Sequence, residues 1–194
     1  MNEDHLIRAI LDRAANPAIR TDYANIRRRE LAPPATLTTI EAAERAMGCA
    51  LHPLHRRLLE EVGNGGFGPG DGLVGLPDGS LDIDGRSIVT LRQILWLDAE
   101  RPLPLPVVPL CDWGDGIWSC IDSGTGVILT LSELGLKDTG QSLHSWLADW
   151  VSGVNLWQHT VVVEDKIMKD PITKQTKTIQ VVTGTRGQPY QSRQ

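Results

Sequence analysis

Apolar positions recur along this chain at two spacings, and the switch between them predicts its elements. In residues 3–15, Leu6, Ile7, Ile10 and Leu11 fall at i, i+1, i+4 and i+5. That is the stripe of one helix face, and Asn16-Pro17 ends it. Residues 17–35 are polar and arginine-rich, with Arg27-Arg28-Arg29 flanked by Asp22 and Glu30. A short helix or irregular connector with a solvated arginine face is expected there. A second helix is expected from Thr38, where Thr38-Thr39-Ile40-Glu41 fits a capping box. Ile40, Ala43 and Met47 form its face and Gly48 its stop. A third starts at Pro53, with Leu54, Leu58, Leu59 and Val62 as its stripe. It runs into residues 63–70, too rich in glycine for regular structure.

From Leu73 the pattern changes to short apolar runs between turn signals, the mark of strands. Residues 73–76 are one candidate, and Asp78-Gly79 and Asp84-Gly85 mark turns around residues 81–83. Residues 87–97 return to helical spacing through Ile88, Leu91, Ile94 and Leu95. After an extended loop at 102–106, residues 107–111, 117–122 and 126–131 predict an antiparallel meander. Ser142 opens a last helix striped by Leu143, Trp146, Leu147, Trp150 and Val151. Residues 159–164 and 178–183 are β-branched runs separated by a lysine-rich stretch with Asp170-Pro171. They predict a hairpin with a long loop and a flexible end from Gly184. Helices, then strands, then a helix and a hairpin make the fold class α+β. Its expected parts are an N-terminal helical extension (1–35), a main domain (36–156) and a C-terminal hairpin with tail (157–194).

Length and composition narrow the class. A chain of 194 residues with 41% hydrophobic and 22% charged residues is long enough to close its own core. No apolar run is long enough for a membrane helix. The start, Met1-Asn2-Glu3-Asp4-His5, lacks the basic and apolar character of a secretory signal. The cysteines Cys49, Cys111 and Cys120 match no disulfide or zinc spacing. A reducing cytoplasm is the expected location. The net charge of −5 is unevenly spread. Residues 1–70 balance, residues 71–153 carry four basic against twelve acidic side chains, and residues 154–194 carry six against three. An acidic middle opposes nucleic-acid binding, which needs a basic footprint, and favours a basic protein partner.

Several constellations invite chemistry, and each has a plainer explanation. The glycine-rich stretch at 63–70 follows a helix, whereas a phosphate loop follows a strand and opens a helix. His52 and His55 could share a metal, but no further ligand motif accompanies them, so they are expected as surface histidines near a helix start. Cys111 and Cys120 stand beside Asp112 and Asp122, which oppose thiolate formation; buried, inert cysteines are expected. Asp112 and Asp115 could form a hydrolytic carboxylate pair, yet Asp112-Trp113-Gly114-Asp115-Gly116 also suits a turn between strands. The spacing fits no calcium loop. Trp113, beside acidic residues at a turn, is expected to be exposed as an interface anchor.

The order of motifs resembles the SUKH superfamily, which includes a fungal cell-wall assembly regulator and many bacterial toxin-immunity proteins. The similarity starts at Ile40-Glu41-Ala42-Ala43-Glu44 and Met47-Gly48, and continues through Leu51-His52-Pro53 and Leu58-Leu59 to Asn64-Gly65-Gly66-Phe67-Gly68. Residues 73–76, Val108-Pro109-Leu110, Trp113-Gly114-Asp115-Gly116, Ile121-Asp122 and Thr125-Gly126-Val127 resemble its strands. Leu143, Trp146-Leu147 and Trp150-Val151 resemble its closing helix. The family usually has Leu-Pro where His52-Pro53 stands here, and the resemblance covers about residues 36–156. It implies an α+β fold and stoichiometric inhibition of a cognate secreted toxin, often a nuclease, without catalysis or cofactor. The alternative is a non-catalytic scaffold or regulatory interaction domain. For binding a basic toxin domain, the expected residues are Asp82, Asp84, Asp112, Asp115 and Asp122 for charge, with Trp113 as anchor. Neither nucleic acid nor membrane is expected as a partner.

Overall fold

A computed structural model describes residues 1–16, 30–96, 103–169, 172 and 175–191, with Trp96 by its backbone alone. The arginine triplet, Asp22, Pro102 and Asp170-Pro171 lie outside the described residues. The first helix, α1 (Glu3–Ala15), is capped by Asn2, whose side-chain oxygen accepts the His5 N–H at 2.9 Å. Glu3 and Asp4 in its first turn suit the positive end of the helix dipole. Leu6, Ile7 and Ile10 are buried, while Leu11 stays exposed.

Helix α2 (Leu37–Met47) begins earlier than expected. Its cap is Thr36, not Thr38: the Thr36 hydroxyl accepts the Thr39 N–H at 3.1 Å. Thr36 has the extended backbone a cap needs, and the helix begins at the next residue. Gly48, in the left-handed conformation, closes the helix. Helix α3 (Pro53–Glu61) starts at the expected proline, with the His52 ring as its cap.

The glycine-rich stretch has no regular structure, yet residues 63–70 are buried. Asn64 organises it. Its N–H donates to the Pro33 carbonyl (3.0 Å) and its carbonyl accepts from the Ser80 N–H (2.8 Å). Its side chain accepts the Leu76 N–H (2.7 Å) and donates to the Pro77 carbonyl (3.3 Å). At Gly66 (φ +87°) any Cβ would overlap the Glu30 carbonyl, so both backbone and space exclude a side chain there. The strand expected at 73–76 does not form. The Leu73 N–H bonds to the Phe67 carbonyl (2.6 Å) and the Gly75 N–H to the Ser80 carbonyl (2.6 Å); of these three residues only Val74 sends its N–H out of the loop, to the Leu110 carbonyl (2.7 Å). We expect Asn64→Ala to cost about 2 kcal/mol, because it strands the buried Leu76 N–H. A fall in the urea midpoint checks this.

Helix α4 (Ile88–Trp96) packs on the first of the meander strands: β1 (Val107–Asp112), β2 (Trp118–Asp122), β3 (Val127–Ser132) and β4 (Gly135–Ser142). Helix α5 (Leu143–Val151) follows, with Ser142 and Ser145 forming a reciprocal capping box. It packs on β3, β4, α1 and α3. Arg13 of α1 lies over the Trp150 ring at 4.7 Å and donates to the Val151 carbonyl at 3.4 Å. A short helix, α6 (Leu156–Thr160), leads into a two-stranded ribbon, β5 (Val161–Lys169) with β6 (Thr176–Thr185). The flexible end expected from Gly184 is instead tied down. Strand β7 (Gln188–Pro189) pairs with β4, and the Tyr190 N–H bonds to the Leu136 carbonyl. The main sheet is antiparallel in the order β1-β2-β3-β4-β7. The fold is therefore α+β. One hydrophobic cluster runs from Leu6 of α1 to Val161 of β5.

Candidate partner-binding site

The structure separates the expected binding residues into scaffold and surface. Asp82 is buried, and its carboxylate accepts the N–H groups of Asp84 (3.0 Å) and Arg86 (2.7 Å). The Arg86 guanidinium meets Asp82 and Asp84, each at 2.7 Å, so one cation offsets both carboxylates. Asp122 is also buried. One oxygen accepts from the Gly124 and Thr125 N–H groups (2.9 and 3.1 Å), the other from the Tyr190 hydroxyl (2.8 Å). Asp112 is half-buried and accepts the Gly114 N–H at 2.8 Å. These are turn-closing roles, in which a short carboxylate satisfies backbone donors two to four residues on.

Trp113 is not at the surface. It is 1% exposed, its indole N–H donates to the Ser119 hydroxyl at 2.8 Å, and its ring lies 5.9 Å from that of Trp157. The turn lifts the backbone, but the indole folds inward over the end of the glycine-rich loop, beside Gly70. Only Asp115 among the five aspartates is exposed with no hydrogen bond or ion pair to a described residue. It sits at φ +52° at the tip of the β1–β2 turn, a conformation Asp tolerates better than most residues.

The histidine expectation is also corrected. His55 lies on the buried face of α3 with Leu54, Leu58 and Leu59, fully enclosed, and neither ring nitrogen has a hydrogen-bond partner among the described residues. Burial, with His52 nearby, lowers its pKa to about 4. His52 is half-buried; burial lowers its pKa, and the Glu3 and Asp122 carboxylates act against that. The described residues contain no group of three or more side chains able to hold a metal ion. Cys111 and Cys120 are buried. Burial pushes the Cys120 thiol up to about 12 despite the Arg92 guanidinium, so enclosure, rather than neighbouring aspartates, keeps it protonated.

Asp115 borders a cleft of about 670 Å³ that sequence reasoning missed. The cleft lies between the β1–β2 and β3–β4 turns on one side and the ribbon on the other. The turns contribute Asp115, Ile117, Ser132, Glu133 and Leu134, and β6 contributes residues 180–185. Glu133 and Leu134 are exposed. The missed signal is Gly135 after Ser132-Glu133-Leu134, which marks a further hairpin turn. No helix of the described residues is long and apolar enough to cross a membrane. Compared with known proteins, the chain matches no family model and no curated protein.

Proposed function

We propose that this chain is an immunity protein that binds a cognate toxin domain and neutralises it by one-to-one contact. The observation that carries this reading is the pair of exposed carboxylates, Asp115 and Glu133, on one wall of the cleft at the end of the sheet. They belong to the segment with twelve acidic and four basic residues. Such a surface complements the basic face by which a nuclease holds nucleic acid. The resemblance to SUKH proteins supports the same reading: its Asn, Gly and Trp motifs supply the buried loop and core, leaving recognition to the exposed turns.

The decisive experiment is co-expression and co-purification with the product of the adjacent gene across a salt series. A one-to-one complex that silences a lethal activity is the expected result. No complex and no protection of cells sinks the reading. Within such a complex, the double variant Asp115→Asn, Glu133→Gln should weaken affinity by about tenfold, mainly through slower association, and flatten its dependence on salt. Unchanged association rates would remove these carboxylates from the interface.

A further inference from the structure

Strand β5 leaves the body of the protein with little support. A two-stranded hairpin is marginally stable alone and is usually secured by further strands or a packed face. Strand β5 pairs with β6 only. Every residue from Glu164 to Lys169 is exposed, Ile167 by 77%. The start of the strand is engaged elsewhere: Val161 is buried, and its carbonyl accepts from Arg186 Nε at 3.0 Å. Beyond it, no hydrogen bond from a described residue outside the ribbon reaches 164–169. That stretch has an open edge of the kind another chain can pair with.

Alternate residues share one face of a strand, so Asp165, Ile167 and Lys169 lie together. Opposite them on β6 are Gln180, Thr178 and Thr176, which complement neither the charges nor the apolar group. Asp165 and Lys169 make no ion pair with a described residue. Along the strand this face runs acid, apolar, base, which is complementary to itself when reversed. Two copies of β5 laid antiparallel about a two-fold axis at Ile167 would set Asp165 of each against Lys169 of the other. The two isoleucines would meet at the centre. Other registers within 164–169 fail. An axis at Glu164, Asp165, Lys166 or Lys169 sets a charge against its own copy, which destabilises a strand pair. An axis at Met168 brings no opposite charges together.

We propose that the β5 edge binds a second copy of this chain, with residues 165–169 of the two copies pairing antiparallel into a four-stranded sheet. The same surface serves both copies, as a two-fold interface requires. Main-chain hydrogen bonds, two Asp165–Lys169 pairs and the contact between the isoleucines hold it together. The added strands supply the support that the ribbon lacks. The paired stretch is only about 17 Å long. So small an interface makes a dimer that dissociates in the micromolar range. The inference does not rest on the immunity reading, since the partner is the chain itself.

The test is sedimentation equilibrium of the full chain from about 1 μM to 1 mM, with amide hydrogen exchange to locate the contact. A monomer–dimer equilibrium is expected, and exchange at 165–169 should slow as the dimer forms. Asp165→Lys and Lys169→Asp, both at exposed positions, should each weaken dimerisation by at least about tenfold, because each sets like charges opposite one another twice. Ile167→Thr, which suits a strand, should weaken it several-fold. An equimolar mixture of Asp165→Lys and Lys169→Asp restores both opposite-charge pairs and should dimerise about as well as the wild type. That recovery would also show that both variants fold. A monomer at every concentration overturns the proposal. So does a dimer that all three variants leave unchanged, a mixture that stays monomeric, or protection along β6 instead of β5. A toxin complex formed by a chain that never dimerises would overturn this inference and leave the immunity reading standing.

Discussion

Replacing Trp113 by alanine is expected to lower stability by about 3–5 kcal/mol, the range for deleting a fully buried large aromatic side chain. Trp113 touches parts of the chain that are far apart in sequence. Its ring lies against Gly70 and opposite Trp157, and its N–H is held by Ser119 of β2. Truncation would leave a cavity at the junction of the buried loop, the sheet and α6, which backbone so constrained cannot collapse to fill. Ser119→Ala, which removes only the acceptor of the indole N–H, should cost about 1–3 kcal/mol. Urea denaturation of both variants tests this order. An interface anchor would behave in the opposite way, with stability retained and partner affinity lost; that outcome would return Trp113 to the surface role its sequence context suggests.

Acid should destabilise the protein through His55. In the unfolded chain its imidazole has the ordinary value of about 6.5, while in the folded chain burial lowers the pKa to about 4. Between these values the unfolded state binds a proton that the folded state refuses. The contribution of His55 is therefore complete above pH 6.5 and is lost as pH falls towards 4, by about 3 kcal/mol in total. Below pH 4 this source of pH dependence ends. His55→Leu removes both unpartnered nitrogens. It should lie within about 1 kcal/mol of the wild type at pH 7 and lack the decline. Denaturation midpoints between pH 4 and 7.5 for the two proteins decide the matter: parallel curves would show that His55 is not the group responsible.

Local signals carried most of the fold. Pro53, Ser142 and the stripes of α1, α3 and α5 marked helices because capping and periodicity are written in neighbouring residues. Strands β1, β2 and β3 were legible for the same reason: buried along most of their length, they are largely apolar runs. Strand β4 was not, since Lys137-Asp138-Thr139-Gly140-Gln141 has no apolar alternation and is held by pairing with β3. Residues 73–76 misled in the other direction, because their apolar character serves burial inside a loop rather than a ladder. The site suffered most. Charge and turn composition singled out five aspartates, but whether a carboxylate faces solvent depends on partners such as Arg86 and Tyr190. Tyr190 lies 68 positions from the aspartate it meets.

The packing of α1 on α5 bears on how the chain comes to be made. Helix α1, which buries Leu6, Ile7 and Ile10, packs on α3 and more extensively on α5, a helix that begins at Leu143. On the ribosome, the apolar face of α1 is made early and its α5 partner only after strands β1–β4, with β7 still to come. At ordinary elongation rates that interval lasts roughly 7–30 seconds. Nascent chains arrested before residue 143 should remain sensitive to protease at α1, and those released after residue 160 should not.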